Sequence, residues 1–180
     1  MTFTLVLGGA RSGKTAFAQG QAEAAVARPT LIATGQAFDD EMRARIERHR
    51  AERGERWSTI EAPLDLTGAL APLTAQDAVV VDCLTLWLSN LLHAEIDSEA
   101  STRDLIIALA ASPARVWLVS NEVGQGIVPD NALARRFRDE AGWMHQRLAA
   151  AAKDVFLITA GLPLRLNCPP EIVELVIEPR

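Results

Sequence analysis

The 180-residue chain has little cysteine, no surplus of positive charge and no long hydrophobic run. Its two cysteines, Cys83 and Cys168, stand far apart and show no metal or redox spacing. The net charge of −5 argues against a surface for nucleic acid or anionic membranes. No apolar run approaches the roughly 18 residues of a membrane span, and the start, MTFTLVLGG, lacks the basic region of a signal peptide. We therefore expect a cytoplasmic protein with no nucleic-acid partner and no membrane insertion.

The chain instead contains short β-rich runs that alternate with longer helical ones. With 49% hydrophobic and 23% charged residues, it suits a single globular domain over residues 1–180. The alternation is typical of an α/β fold, in which helices flank a mostly parallel central sheet. Strands are predicted at 3–9, 30–34, 78–82, 115–120 and 154–159, helices at 14–27, 39–53, 84–93, 101–111 and 131–152, and an antiparallel edge strand at 171–179.

The stretch GGARSGKT, residues 8–15, fits the phosphate-binding pattern G-x-x-x-x-G-K-[ST] between a predicted strand and a predicted helix. Glycines let successive N–H groups point at phosphate oxygens, at the positive end of the following helix. Lys14 is expected to reach the β- and γ-phosphates, and the Thr15 hydroxyl to bind Mg²⁺. The alternative is a glycine-rich turn that only resembles such a loop. The predicted nucleotide contacts here are Gly8, Gly9, Ala10, Arg11, Ser12, Gly13, Lys14 and Thr15.

The strand AVVVD ends in Asp82, which is expected to hold the same Mg²⁺, directly or through a water. An ordinary capping aspartate is the alternative. Cys83 follows it, where many motor ATPases have a glutamate that activates water, and the chain lacks the guanine-reading [NT]-K-x-D of GTPases. Both absences favour a transferase that acts on a small molecule.

His49 lies in the charged run RIERHRAERGERW. On a helix, Arg45, His49 and Arg53 share one face, and residues 43–56 hold six arginines against three glutamates. Such a cluster can bind polyphosphate, and nearby cations favour neutral imidazole by lowering its pKa. Neutral imidazole could attack phosphorus and carry it as a phosphoramidate. A solvated helix face explains the same spacing, and spacing alone favours that interpretation. His93 is interpreted as an exposed helix end and His145 as a helix-face residue.

The order of these motifs resembles one family. GGARSGKT, IATGQAFDDEMRARIERHR, WSTIEAP, VVVDCLTLWLSNLL and SNEVGQGIVPDNALARRFRDEAGWMHQ together are similar to the bifunctional adenosylcobinamide kinase / adenosylcobinamide-phosphate guanylyltransferase family, over residues 3 to 162. The resemblance implies a P-loop, RecA-like fold and a homotrimer. It also implies two reactions of cobalamin biosynthesis. ATP or GTP phosphorylates adenosylcobinamide, and GMP is then transferred from GTP to adenosylcobinamide phosphate, which gives adenosylcobinamide-GDP.

The resemblance further implies roles for individual residues. His49 matches the histidine that carries GMP as a GMP-histidine. Together with Lys14 of the phosphate loop, it is a predicted catalytic residue. Gly54 stands where the family commonly has proline, and His145 where many relatives have asparagine. The nucleotide contacts expected beyond residues 8–15 are Thr34, Gly35, Gln36, Arg50, Ala51, Glu52, Arg53, Glu61 and Asp82.

The loop SNEVGQGIVP follows a predicted strand whose carboxyl end opens on the active-site edge of the sheet. Asn121, Glu122 and Gly124 are candidates for corrinoid contacts, although a loop that orders the trimer or supports the sheet fits equally well. Glu61 and Glu122 are candidates, by charge alone, for the base that activates the corrinoid hydroxyl. Two other interpretations stay open: a monofunctional P-loop small-molecule kinase with a structural His49, and a non-catalytic nucleotide-binding regulatory protein.

Overall fold

The structure, a computed structural model, describes residues 3–36 and 56–167. Within these ranges seven strands and five helices alternate along the chain. The strands are β1 (Phe3–Gly8), β2 (Thr30–Ala33), β3 (Ser58–Glu61), β4 (Ala78–Asp82), β5 (Arg115–Asn121), β6 (Asp154–Thr159) and β7 (Leu162–Arg165). The helices are α1 (Lys14–Ala25), α2 (Leu66–Leu70), α3 (Leu84–His93), α4 (Ser98–Ala111) and α5 (Ala132–Ala151).

The strands form one sheet in the order β3-β2-β4-β5-β1-β6-β7. Every neighbouring pair is parallel except β6 and β7, which are antiparallel at one edge. The strand β5 separates β1, which leads into the glycine loop, from β4, which ends in Asp82; this is the RecA-like arrangement of the P-loop fold. The predicted α/β fold with a mostly parallel sheet is confirmed.

Helices cover both faces of the sheet, so the central strands alternate between two hydrophobic clusters. On β4, Val79 and Val81 belong to one cluster and Val80 to the other. The first cluster packs against α2, α3, α4 and α5. The second packs against α1, where Ala18 and Ala22 are fully buried. These small side chains let α1 approach the sheet closely, which brings its first turn to the end of β1.

Most predicted elements are confirmed, with the five strands correct to within one residue. The helix α4 begins at Ser98, three residues earlier than predicted, because the Asp97 carboxylate accepts hydrogen bonds from the N–H groups of Glu99 and Ala100. The helix predicted at 39–53 and the edge strand predicted at 171–179 lie outside the described residues. No helix of the described chain is long and apolar enough to cross a membrane.

The sequence analysis missed three short elements, β3, α2 and β7. The strand β7 contains Pro163, which cannot donate a ladder hydrogen bond and argues against a strand in a sequence. It is tolerated here because β7 pairs on one side only, with β6. The helix α2 has five residues and is capped by the preceding Asp65, whose carboxylate accepts from the Gly68 N–H at 2.7 Å. That hydrogen bond lowers the pKa of Asp65.

Trp87 on α3 should be the largest single contributor to this core. Its side chain is 2% exposed, and its Nε1 donates to the Leu64 carbonyl at 2.8 Å. We expect Trp87→Ala to lower the free energy of unfolding by about 3–5 kcal/mol, because it leaves a cavity and an unpaired carbonyl. Ile107→Ala, at a position 62% exposed, should change it by less than about 0.5 kcal/mol. Denaturant unfolding followed by circular dichroism measures both; equal losses would contradict the core role of Trp87.

Candidate nucleotide-binding site

The predicted site residues that the structure describes lie along the carboxyl edge of the parallel strands. Gly8 ends β1 and pairs with Asn121, the last residue of β5. Ala33, at the end of β2, pairs with both Asp82 and Glu61, the last residues of β4 and β3. The fold therefore aligns residues that stand as many as 113 positions apart in the sequence, from Gly8 to Asn121, along one side of the sheet.

The loop between β1 and α1 needs glycine at two points. A side chain at Gly8 would collide with the Ser12 hydroxyl and the Ile158 carbonyl. Gly13 has a φ of +97°, and a Cβ there would lie 3.2 Å from the Cα of Gly161. The Gly161 N–H donates to the Ser12 carbonyl at 2.8 Å, so the turn between β6 and β7 braces the loop from the other side. The close packing holds residues 8–13 in a tight curl.

The start of α1 offers donors to an anion. Gly13 occupies the cap position and carries no side chain that could accept from the first-turn N–H groups. The Lys14 side chain is 8% exposed, and its Nζ donates to the Gly9 carbonyl at 2.9 Å, across the loop. The Ser12 hydroxyl is the one buried polar side-chain atom in the described part of the chain without a hydrogen-bond partner. A phosphate oxygen in the loop would accept from it, so these residues fit a bound phosphate chain.

Thr15 and Asp82 are the residues expected to hold Mg²⁺. Thr15 stands in the first turn of α1 and Asp82 at the end of β4, against which α1 packs, and both are partly exposed. Residues 3–36 and 56–167 contain no group of three or more His, Cys, Asp or Glu side chains placed to hold a metal ion. Mg²⁺ at nucleotide sites takes one or two protein oxygens together with phosphates and waters. A hydroxyl and a carboxylate at this edge fit that donor set.

The structure gives Thr34 a buried position. Its hydroxyl accepts from the Cys83 N–H and donates to the Cys83 carbonyl, both at 2.8 Å. Gly35 and Gln36 follow it and are half-buried. A nucleotide contact by these three residues stays a prediction. The Thr34 hydroxyl is already hydrogen-bonded to the backbone of Cys83, directly after β4.

Two polar residues near this edge, Asn90 and Thr85, were missed by the sequence analysis. Asn90 is 4% exposed, and its Nδ2 donates to the Thr34 carbonyl at 2.8 Å and the Pro63 carbonyl at 2.9 Å. Thr85 lies beside the Cys83 thiol and accepts a hydrogen bond from Asn121 at 2.9 Å. The available signal was an asparagine within the apolar helix LTLWLSNLLH, since a buried amide is retained only where it is hydrogen-bonded.

The Cys83 thiol is an unsuitable nucleophile despite its place next to Asp82. Burial raises the pKa of the thiol, and the neighbouring Asp82 charge adds to the effect. The protonated thiol therefore predominates at neutral pH, and a covalent intermediate on Cys83 is disfavoured.

The residues after β5 are tied to the glycine loop. The Glu122 N–H donates to the Gly8 carbonyl at 3.0 Å, and the Glu122 carboxylate accepts from the Gly124 N–H at 2.6 Å. The loop beyond them exposes Ile127 and Val128, at 97% and 62%. The candidate corrinoid contacts Asn121, Glu122 and Gly124 therefore lie next to the glycine loop.

The described part of the chain contains two histidines, His145 and His93, and each is hydrogen-bonded within the protein. His145 is a buried residue of α5, and its Nε2 lies 2.7 Å from the Ser120 Oγ. Burial lowers the pKa of His145, and the charge of Glu122 partly opposes this. His93 is exposed in the last turn of α3, with Nδ1 2.7 Å from the Ser89 carbonyl. The interpretations as a helix-face residue and an exposed helix end are confirmed.

The predicted nucleophile and its neighbours, His49, Arg50, Ala51, Glu52 and Arg53, lie outside the described residues. Of the six arginines around His49, Arg56 is described, and it serves a different purpose. Its guanidinium donates to the carbonyls of Glu23, Val26 and Ala27 at the carboxyl end of α1. That end of α1 is opposite the glycine loop. The interpretation of the whole arginine cluster as phosphate ligands is therefore wrong for Arg56.

The structure has the features of the P-loop class of nucleotide-binding proteins. They are a glycine loop between β1 and α1, Lys14 at the end of that loop, and Asp82 on β4. A family model described as cobinamide kinase / cobinamide phosphate guanyltransferase matches residues 4–166. The chain belongs to this family, which confirms the resemblance seen in the sequence.

Three relatives match most of its length. The bifunctional adenosylcobalamin biosynthesis protein CobP of Pseudomonas aeruginosa is 45% identical over 171 residues, which cover 92% of this chain and 98% of that protein. The bifunctional proteins CobU of Salmonella typhimurium and Escherichia coli are 43% and 41% identical, and each match covers 91% of this chain and 98% of the relative. Among solved structures, the RadB recombinase aligns with a TM-score of 0.44 at 18% identity, over 87% of this chain and 73% of that one.

Gly13→Ala tests the strain argument for the glycine loop. We expect it to lower the free energy of unfolding by about 1–2 kcal/mol, because alanine is disfavoured at positive φ, and to weaken nucleotide binding. Gly20→Ala is the matched control, since Gly20 lies within α1 and a Cβ there meets nothing within 4 Å. It should stabilise the protein by about 0.5–1 kcal/mol. Thermal unfolding and GTP titration measure the two effects; a Gly13→Ala protein as stable as Gly20→Ala would contradict the argument.

His145 should make the protein sensitive to acid. Its folded-state pKa lies below the usual value of 6.5, so the unfolded chain takes up the proton first, and stability falls as pH falls below 6.5. His145→Asn removes this contribution, which cannot exceed about 1.4 kcal/mol per pH unit. We expect the variant to lose less unfolding free energy than the wild type between pH 7.5 and 5.5. His93→Asn, at an exposed position, is the control, and identical pH profiles for wild type and His145→Asn would contradict the prediction.

Proposed function

We propose that the protein phosphorylates adenosylcobinamide with ATP or GTP and then transfers GMP from GTP to adenosylcobinamide phosphate, as a step of cobalamin biosynthesis. The observation that carries the proposal is the loop of residues 8–15, with Lys14 folded across it and the Ser12 hydroxyl left without a partner among the described residues. Membership of the cobinamide kinase / cobinamide phosphate guanyltransferase family supports the choice of substrate. The relatives that share its length are named bifunctional, which supports two reactions in one chain.

In the kinase reaction, the N–H groups of the loop and Lys14 hold the triphosphate and stabilise the charge of the transferred group. Thr15 and Asp82 would hold Mg²⁺, which when bound neutralises charge on the phosphates. The corrinoid hydroxyl oxygen bonds to the γ-phosphorus, the bond from that phosphorus to its bridging oxygen breaks, and ADP or GDP leaves. A carboxylate takes the hydroxyl proton. The candidates by charge are Glu61, exposed at the end of β3, and Glu122, whose carboxylate accepts a hydrogen bond from the Gly124 N–H.

In the guanylyltransferase reaction, a ring nitrogen of His49 bonds to the α-phosphorus of GTP, and pyrophosphate leaves as the bridging bond breaks. A phosphate oxygen of adenosylcobinamide phosphate then attacks the same phosphorus. The nitrogen–phosphorus bond breaks, free imidazole returns, and adenosylcobinamide-GDP is released. Arg50 and Arg53 are proposed to stabilise the departing pyrophosphate. This covalent route divides one displacement at the α-phosphorus into two. The arginines around His49 would supply positive charge in both steps.

The protein is further proposed to work as a homotrimer in the cytoplasm, with the corrinoid bound beside the loop after β5. Membership of the family is the ground for this proposal. Ile127 and Val128 are exposed in the same loop as Glu122, whose N–H donates to the Gly8 carbonyl. They would give the corrin ring an apolar surface.

The test is to incubate the protein with Mg²⁺ and GTP labelled at the α-phosphate, and then to denature it. We expect label that survives base and is released by acid, as a phosphoramidate requires. His49→Ala should lose the label and keep phosphorylation of adenosylcobinamide. His93→Ala, the matched control at an exposed position, should keep both.

Other outcomes would favour the alternatives. Phosphorylation of adenosylcobinamide without label in the wild type would indicate a monofunctional kinase. Nucleotide binding with neither reaction would indicate a regulatory protein. Lys14→Ala should lower phosphorylation by at least about a hundredfold, since it removes charge stabilisation at the phosphates.

A further inference from the structure

The end of β2 is attached to β4 by a side chain. Ala33 is the last residue of β2 and pairs with Asp82. At the next position, the Thr34 N–H donates to the Asp82 carbonyl at 3.2 Å. The Thr34 hydroxyl continues the ladder: it accepts from the Cys83 N–H and donates to the Cys83 carbonyl, both at 2.8 Å. Thr34 is fully buried, so the hydroxyl makes these bonds away from water, where each is strong and costly to lose.

Asn90 holds Thr34 from the other side. The asparagine is 4% exposed on α3, and its Nδ2 uses both hydrogens, one on the Thr34 carbonyl and one on the Pro63 carbonyl. Pro63 follows the end of β3 by two residues. A single amide therefore binds the segments that leave β2 and β3.

The side chain of Cys83 is engaged as well. Its Sγ lies 3.1 Å from the Thr85 hydroxyl, which accepts from the Asn121 amide at 2.9 Å. Asn121 is paired with Gly8. A chain of polar contacts thus runs along the carboxyl ends of β3, β2, β4 and β5, and Cys83, the residue after Asp82, is held at its backbone and at its side chain.

We propose that Thr34 and Asn90 are positioning residues, which fix the backbone at Asp82 so that its carboxylate meets the Mg²⁺ of a bound nucleotide. The inference rests on the metal role proposed for Asp82. It departs from the nucleotide contact expected of Thr34, because the hydroxyl is buried and bonded to Cys83 in both directions. Groups that orient a ligand of a metal ion are worth about 10–100-fold in metal affinity.

Thr34→Val removes the hydroxyl at nearly constant volume, and Thr34→Ser restores it. The measurement is GTP binding, first in EDTA and then against increasing Mg²⁺. We expect Thr34→Val to raise the Mg²⁺ concentration for half-maximal tight binding about tenfold, and to weaken binding in Mg²⁺ more than binding in EDTA. Thr34→Ser should behave as the wild type, and Asn90→Ala should shift the Mg²⁺ dependence in the same direction by a smaller factor.

Two controls isolate the effect. Thr102→Val also removes a buried hydroxyl, 2% exposed and bonded to the Ser98 carbonyl on α4, and should leave the Mg²⁺ dependence unchanged. Asp82→Asn should shift it at least as far as Thr34→Val does. If Thr34→Val does not fold by circular dichroism, Asn90→Ala and Asn90→Ser decide by the same measurement.

The inference is overturned if Thr34→Val weakens GTP binding in EDTA as much as in Mg²⁺, since that indicates a direct nucleotide contact. It is also overturned if Asp82→Asn shifts the Mg²⁺ dependence while Thr34→Val and Asn90→Ala do not. An unshifted Asp82→Asn would refute the metal role of Asp82 and the inference with it. Labelling of His49 is measured separately, so failure here is distinguishable from failure of the proposed function.

Discussion

The close packing around Gly8 and Gly13 is the constraint on which the site depends. A backbone that curls through residues 8–13 leaves no room for a Cβ at Gly8, and at Gly13 it requires a left-handed conformation. The turn at Gly161 presses on the same loop and donates to the Ser12 carbonyl. Because the curl is held by backbone contacts, the N–H groups at the start of α1 keep their direction, and the free energy of arranging them is supplied by folding rather than by binding.

The two faces of the sheet contribute differently to this arrangement. Large side chains of α3, α4 and α5 fill one face, and Trp87 is one of them. The other face meets α1 through Ala18 and Ala22, which set a short distance between helix and sheet. Arg56 then satisfies the carbonyls at the carboxyl end of α1, far from the loop. The carbonyls at the carboxyl end of α1 are thus hydrogen-bonded by the protein itself. The N–H groups at the amino end of α1 face the glycine loop, where the helix dipole favours an anion.

Polar groups along the carboxyl edge join what would otherwise be independent strand ends. The buried amide of Asn90 and the hydroxyls of Thr34 and Thr85 each have hydrogen-bond partners. Such groups cost free energy when unpaired, so a fully bonded set favours one arrangement of the backbone around Asp82 over others.

The sequence by itself determined the α/β class, five of the strands and the glycine loop of residues 8–15 between a strand and a helix, because these depend on local patterns: apolar runs of strand length and glycines before Lys14. It also identified Asp82 as a candidate site residue, since a carboxylate that ends a buried strand is a local signal. The tertiary structure alone decided the positions of β3 and β7, which are short edge strands stabilised by one neighbour each. It alone separated Arg56 from the other arginines and revealed Asn90, because both act through backbone carbonyls distant in sequence, and no spacing along a chain records which carbonyls a fold brings within reach.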